Sequence, residues 1–577
     1  MAPIDLLLLH PPSVYDFRTH AILYGPVSDL IPSSPVFEMY PLGFLTMTDY
    51  LEARGLRVRI VNLALRMMND PRFNVAQFLA RLKPRAIGID LHWLPHAQGA
   101  LEIAKIVKQL HPSVPVMMGG LSASYFHEEL IANSAVDYVL RGDSVEPPLY
   151  DLMRHILAGS APADVSNLTW KDGAGVHVNP PSFVPTALDY ANLAPQRLVK
   201  MVLRYRDLQS VLPFNGWWHN PITATFTVRG CAHRCVTCGN SRDACAILSV
   251  RPQPIYRSPA NLVQNMRDIS RISHGPIFLV GDLRQAGDAY AHEVLALLKR
   301  ARLRNEIVFE LFAMPPANYL AAIDDAVLRW SLELSPESHD ERLRRRQDVT
   351  VAFTNAEMEL IIRQALALRC TRVDVFFMIG LSGQTRGSVM ESIDYCEHLF
   401  RQTDKRLSCF ISPMGPFLDP ASRAFEAPAE YGYRLFAHTL AEHQQLLVQP
   451  AWPQILNYET EWMTREEMAA VTYDAGEALN ALKLRYGRIA PAQGAIVARH
   501  IQSARDLSAR LDAAARSNVR DHGAEARLLG EVNAFSVSTV CDKQELFWSR
   551  RLLNFNVWAI LRLAWEFACE QVARAGR

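Results

Sequence analysis

Cys231, Cys235 and Cys238 fall within eight residues of a chain whose other six cysteines (Cys245, Cys370, Cys396, Cys409, Cys541 and Cys569) are scattered singly. Scattered thiols in a large chain read as reduced and mostly buried. Three thiolates at the spacing Cys-x3-Cys-x2-Cys share one small volume only when their loop wraps around something, and their mutual repulsion calls for a metal centre. Two centres suit the spacing. Structural zinc would take a fourth ligand from His219, His233 or Cys245. A four-iron cluster held by three cysteines would leave one iron open to an outside ligand, whereas structural zinc sites are closed. Position weighs against zinc, because the loop follows the first strand of an alternating strand–helix series, at the carboxyl end where barrel chemistry occurs.

The elements that must carry this loop are legible along the chain. Its 577 residues, 49% apolar and 21% charged, suit a globular protein of about three domains. In residues 1–160, short apolar runs at 5–9, 58–61, 86–90, 115–118 and 137–140 alternate with helical stretches such as 43–54 and 99–110. That pattern predicts a doubly wound, Rossmann-like parallel sheet with ligands at the carboxyl ends of its strands. The turns of interest there are His10-Pro11-Pro12, Gly119-Gly120-Leu121-Ser122 and Arg141-Gly142-Asp143-Ser144. Residues 161–220 read as a connector, with a hairpin turn at Trp170-Lys171-Asp172-Gly173. Residues 221–440 hold six strand–helix units, with strands at 223–228, 276–280, 307–312, 332–334, 373–378 and 407–412. Six units make a partial barrel rather than the closed eight. Residues 441–577 show helical periodicity. Their late aromatics (Phe547, Trp548, Phe555, Trp558, Trp565, Phe567) are expected to pack a helical core. The fold class is therefore α/β multidomain with a mostly helical C-terminal part.

Charge excludes some functions. With 60 basic and 59 acidic residues the net charge is +1, so neither a nucleic-acid groove nor an anionic-membrane patch is expected. No window approaches the ~20 apolar residues of a membrane span. The opening MAPIDLLLLHPP lacks a basic leader and reads as a strand, so a cytoplasmic location is expected.

The segment Thr227-Val228-Arg229-Gly230-Cys231-Ala232-His233-Arg234-Cys235-Val236-Thr237-Cys238-Gly239 resembles the cluster loop of the radical S-adenosylmethionine superfamily. Later segments, in matching order, are similar to that family's turns. Val280-Gly281-Asp282 stands where a Gly-Gly-Glu turn holds the methionine amino group of the cosubstrate, with one glycine replaced and Asp for Glu. Leu332-Glu333-Leu334-Ser335-Pro336-Glu337-Ser338 resembles the fourth-strand segment that contacts its ribose or carboxylate. Phe377-Met378-Ile379-Gly380-Leu381-Ser382-Gly383-Gln384-Thr385 resembles the fifth-strand turn, with Ser382 replacing a proline. The resemblance spans roughly residues 220–415. Read from the residues alone, Asp282 is equally a turn acid or helix cap, and Ser335 and Glu337 are equally loop hydrogen-bonders.

A parallel α/β domain placed directly ahead is similar to the cobalamin-dependent branch of that superfamily. Val116-Met117-Met118-Gly119-Gly120 and Leu140-Arg141-Gly142-Asp143-Ser144-Val145-Glu146-Pro147 look like that branch's turns, which would place Gly119, Gly120, Gly142 and Asp143 against cobalamin. The Asp-x-His-x-x-Gly loop that gives cobalt a histidine in other cobalamin proteins is absent, and His92 or His96 would be the nearest substitutes. Segment 24–40 is expected to be a lid, an interdomain loop or a plain surface loop. The resemblance implies three cofactors: a 4Fe-4S cluster on Cys231, Cys235 and Cys238, S-adenosylmethionine at Gly281, Asp282, Ser335 and Glu337, and cobalamin. It further implies a small-molecule substrate, an electron donor such as flavodoxin or ferredoxin, and methylation of a weakly activated carbon. Cyclisation, rearrangement or oxidation with the same cofactors is the nearest alternative. A non-catalytic cobalamin- or metal-binding regulator is the alternative of a different class.

Overall fold

The computed structural model describes residues 4–348, 353–516, 522–535, 537–548 and 554–575. The first sheet has seven strands: β1 (Ile4–His10), β2 (Val58–Asn62), β3 (Pro84–Asp90), β4 (Val116–Gly119), β5 (Tyr138–Leu140), β6 (Leu168–Asp172) and β7 (Gly175–Val178). Their order is β2-β1-β3-β4-β5-β6-β7, with β1 to β5 parallel and β6 and β7 antiparallel. A strand covered on both faces reads as an unbroken apolar run, as Leu6 to Leu9 of β1 do. Leu7 and Leu9 enter one core, while Leu6 and Leu8 enter the core on the opposite face. The order 2-1-3-4-5 puts the topological switch between β1 and β3, where such sheets open a ligand crevice. One boundary moves. The hairpin of β6 and β7 continues this sheet to residue 178, within the span read as a connector, because an antiparallel hairpin needs no crossover to join the β5 edge.

The second sheet begins with β8 (Thr223–Phe226), and β9 (Val228–Arg229) then pairs antiparallel with β10 (Ile255–Tyr256), closing the cysteine loop at its base. The remaining strands are β11 (Ile277–Val280), β12 (Ile307–Leu311), β13 (Trp330–Glu337), β14 (Cys370–Ile379) and β15 (Leu407–Pro413). All neighbours pair in parallel in the order β15-β14-β13-β12-β11-β8, so the six-stranded sheet is open at β8 and β15. The helix Pro259–Ile272 carries its proline at the first position, and the Ser258 hydroxyl accepts from Asn261 N.

Beyond β15, a two-stranded ribbon of β16 (Tyr433–Leu435) and β17 (Tyr458–Thr460) precedes helices Arg465–Arg485, Pro491–Arg516 and His522–Ala534. The first of these has a full capping box between Thr464 and Glu467. The helix Val557–Ala575 lies against helices Pro195–Tyr205 and Pro259–Ile272. Here the expectation of a packed aromatic core fails for two residues: Trp558 is 81% and Trp565 72% exposed. Their seven-residue separation keeps both on the face turned away from those helices.

Segment 24–40 is an interdomain strap rather than a free surface loop. Ser412 Oγ, on β15, donates to Pro26 O at 2.9 Å. The buried carboxylate of Asp29 accepts from Val540 N at 2.7 Å and Thr539 Oγ1 at 2.8 Å. The strap thus joins the first domain, the second sheet and the C-terminal part. Among the described residues no helix is long and apolar enough to cross a membrane.

Candidate functional site

A cavity of about 1210 Å3 opens where the carboxyl ends of the first sheet face the second sheet. That exceeds the roughly 300–1,000 Å3 of ordinary small-molecule pockets. Its first wall is Asp90, His92, His96, Gly119, Gly120 and Gly142, at the ends of β3, β4 and β5. Its second is Arg229, Gly230, Cys238 and Gly239 of the cysteine loop, with Asp419 and Pro420 beyond β15. The inner face of the second sheet supplies Phe226, Phe278, Glu333, Asp374 and Phe376, and Leu546, Trp548 and Phe555 close the far end.

Three of the four residues assigned to cobalamin from sequence present bare backbone to this cavity. A Cβ on Gly119 or Gly142 would meet nothing closer than 3.5 Å and 3.8 Å respectively, so their lack of side chains keeps the space open. Gly120 has a different constraint: at φ +118° a Cβ would lie 2.4 Å from His92 Cα. Asp143 also lines the cavity, but its carboxylate is taken. Oδ2 is ion-paired with Arg251 Nη2 of the cysteine-loop segment, and Oδ1 accepts from Ser144 Oγ at 3.0 Å. Its carboxylate thus clamps the two domains together at the cavity's edge. Glu146 is a second clamp. Buried, it accepts Arg229 Nη1 at 2.8 Å and Thr46 Oγ1 at 2.6 Å, and the guanidinium also reaches its other oxygen.

His92 and His96 both line the cavity. His96 Nε2 and His10 Nε2 each lie 2.9 Å from Phe37 O, and His10 Nδ1 lies 2.9 Å from Asp90 Oδ1. Burial pushes His96 down to about 4 and lowers His92 as well. The Nδ1 of His96 and Oδ2 of Asp90 have no hydrogen-bond partner. A wide, apolar crevice with bare glycine backbone and two orphaned polar atoms fits a large, flat, polar-edged group such as cobalamin.

The cysteine loop presents three half-buried thiols. Burial raises all three; at Cys235 the next causes are Glu337 and then the thiols of Cys238 and Cys231, which lie within electrostatic reach of it. Neutral thiols in such a place ionise on binding iron. A mononuclear zinc needs its donors within about 2.3 Å of one point. Among the described residues no three His, Cys, Asp or Glu side chains converge in that way. His219 is exposed, and Cys245 Sγ is turned to Asn240, whose carbonyl and side-chain oxygens lie at 3.6 and 3.5 Å. Three thiols within one short loop that do not meet at a single point suit the wider footprint of a multi-iron cluster better than a lone ion. Cys238 is set by its neighbours: Asp419 accepts Gly239 N at 2.9 Å and adds to the rise in its pKa.

The residues assigned to S-adenosylmethionine divide. Glu337 ends β13 at φ +64°, one of its carboxylate oxygens is buried without a partner, and burial lifts it to about 7. It stands beside Cys235 as an open polar position. Ser335 lies two residues earlier on β13, half-buried. Gly281, at φ +94°, donates its N–H to Glu310 at 3.0 Å, and a Cβ there would press Thr227 and Val228 at 3.0 Å. Asp282 is a turn acid. It accepts from Arg284 N at 2.9 Å, Arg284 Nη2 at 2.9 Å and Phe312 N at 3.2 Å, so each of its oxygens already holds a donor of this chain. In the fifth-strand turn, Gln384 Oε1 accepts Gly380 N at 2.8 Å and Leu381 N at 3.2 Å, and Arg346 donates to the Ser382 hydroxyl at 2.9 Å.

Several site groups carried no motif. Glu310 takes the Gly281 amide, and burial raises it to about 7. The buried ring of His233 has neither nitrogen partnered, and Gln285 has an orphaned Nε2 beside Cys231, whose Sγ lies 3.8 Å from its Oε1. Only the tertiary fold brings these together with the triad.

Known proteins share this fold. Residues 30–148 match the family model of the B12 binding domain. The radical S-adenosylmethionine methyltransferase TsrM from Kitasatospora setae, solved with tryptophan and an aza analogue of S-adenosylmethionine, aligns with TM-score 0.56 and 16% identity, over 85% of this chain and 90% of that one. The cobalamin-dependent S-adenosylmethionine radical enzyme OxsB, solved with aqua-cobalamin and S-adenosylmethionine, aligns with TM-score 0.53 and 13% identity, over 100% of this chain and 80% of that one. No curated protein sequence matches the chain. Residues 30–148 are thus a B12-binding domain, and the chain as a whole has the fold of the cobalamin-dependent S-adenosylmethionine radical enzymes.

Proposed function

We propose that this chain is a cobalamin-dependent radical S-adenosylmethionine enzyme that methylates a weakly activated carbon of a small molecule or natural-product precursor. The observation that carries the reading is a shared cavity: Gly119, Gly120 and Gly142 bound it on one side, and Gly230, Cys238 and Gly239 on the other. With its cofactors bound, such a site supplies one-electron cleavage of a sulfonium carbon–sulfur bond together with a cobalt-borne methyl group. The chain's own part is positional. Cys231, Cys235 and Cys238 hold the cluster, Glu337 offers a polar contact beside it, and the glycine turns let the backbone approach cobalamin closely. The apolar wall of Phe226, Phe278 and Phe376 keeps water from the space between. Flavodoxin or ferredoxin is the redox partner this chemistry implies.

Anaerobic purification tests the reading. Iron, acid-labile sulfide and cobalamin should all be present, and turnover should yield both S-adenosylhomocysteine and 5′-deoxyadenosine. Zinc without sulfide would overturn it. A methyl-labelled cosubstrate then fixes the reaction type, because a product without label would assign cyclisation, rearrangement or oxidation instead.

A further inference from the structure

Glu310, Glu333 and Asp374 lie in register on the adjacent strands β12, β13 and β14, Glu310 opposite Glu333 and Glu333 opposite Asp374. Like charges directly opposite one another on neighbouring strands are destabilising. The cations nearby do not cancel this row. Arg372 Nε donates to Asp374 Oδ2 at 2.6 Å, but its other nitrogens are held by the carbonyls of Phe547 and Glu545. Lys483 pairs with Glu545 at 2.6 Å. Glu333 has no hydrogen bond or ion pair among the described residues, and Asp374, 2% exposed, keeps Oδ1 without a partner. Glu333 and Asp374 both line the cavity, where Phe278, Phe376 and Trp548 also face it.

We infer that this cavity binds an amine-bearing substrate whose ammonium group is received by Glu333 and Asp374 while its apolar body rests on Phe278, Phe376 and Trp548. The inference rests on the reading of the cavity as an active site. Three features carry it. A cation entering between the two carboxylates supplies the counter-charge the fold withholds from Glu333. Asp374, held by Arg372, gives a fixed acceptor direction, and its free Oδ1 offers the remaining lone pairs. Aromatic faces beside the acids favour a cation and its apolar neighbour together. Burial, with Asp374 and Glu310 next in effect, lifts Glu333 to about 8, as expected for an acid kept without its partner.

The test uses full-length protein purified anaerobically and loaded with iron, sulfide and cobalamin. Loading is read first, from cobalamin absorbance and acid-labile sulfide, so failure of the proposed function is seen separately from failure of this inference. Three probes of similar shape, 2-phenylethylamine, 2-phenylethanol and 3-phenylpropionate, are then titrated by ligand-detected NMR into the wild type, E333Q and D374N. The amine should bind saturably and at least tenfold tighter than the alcohol, with the carboxylate weakest. E333Q should lose tenfold or more in amine affinity and nothing in alcohol affinity. Equal binding of amine and alcohol, no saturable amine binding, or amine affinity unchanged in E333Q would each overturn the inference. Thermal melting adds a readout independent of ligand. E333Q should melt higher than the wild type, because it removes an unpaired buried acid, whereas a lower midpoint would mark Glu333 as a structural group and overturn the assignment.

Discussion

At the scale of single residues, the triad makes the sharpest demand. Changing any one of Cys231, Cys235 or Cys238 to Ala should abolish both acid-labile sulfide and cleavage of S-adenosylmethionine, as elemental analysis and product chromatography would show; Cys245→Ala should retain both. Gly120→Ala should destabilise the first domain by about 1–3 kcal/mol, because the residue sits at positive φ against the His92 backbone. Chemical denaturation measures that directly. Glu333 predicts a pH effect. Its folded value near 8 lies above the ordinary carboxylate value of 4.5, so the native state holds the proton longer. Its contribution to stability is complete below about pH 4.5 and is lost as pH rises through 8. The melting advantage of E333Q over the wild type should therefore widen between pH 5 and 8.5. The sequence announced the cysteines because three thiols in eight residues have few uses. It could not separate Asp282 from Glu310 or Glu337, because an acid in a turn and a buried acid look alike until the partners of each oxygen are known.

At the scale of elements, strands were readable because each is a short apolar run bounded by Pro, Gly or charge. All six strands of the second sheet fall where the sequence places them, and the cap at Ser258 and the box at Thr464 follow from local chemistry alone. What joins the two sheets was not readable. Asp143 and Glu146 resemble cofactor-turn residues, yet each meets an arginine that flanks the cysteine loop, Arg251 and Arg229. Such pairs depend on docking between elements more than eighty residues apart. Breaking the buried Glu146–Arg229 pair from one side should cost about 3–5 kcal/mol. The double change E146M/R229M should cost less than the sum of the singles, and a double-mutant cycle on denaturation midpoints measures the coupling.

At the scale of the whole molecule, the strap at 24–40 and the segment 537–548 interleave the domains instead of leaving them as beads. Asp29 of the strap is held by Thr539 and Val540, and Ser412 of the second sheet is tied to Pro26. Calorimetry of the apo protein should therefore show one main unfolding transition spanning both sheets, and two well-separated transitions would contradict this coupling.

Trp548 donates to Ser331 Oγ at 3.0 Å and, with Leu546, forms the far end of the cavity. Chains emerge from the ribosome N-terminus first, and domains fold in that order. Every other wall of the chamber has consequently left the exit tunnel before its floor is laid. During synthesis the chamber therefore lacks the floor that Leu546 and Trp548 supply until those residues emerge.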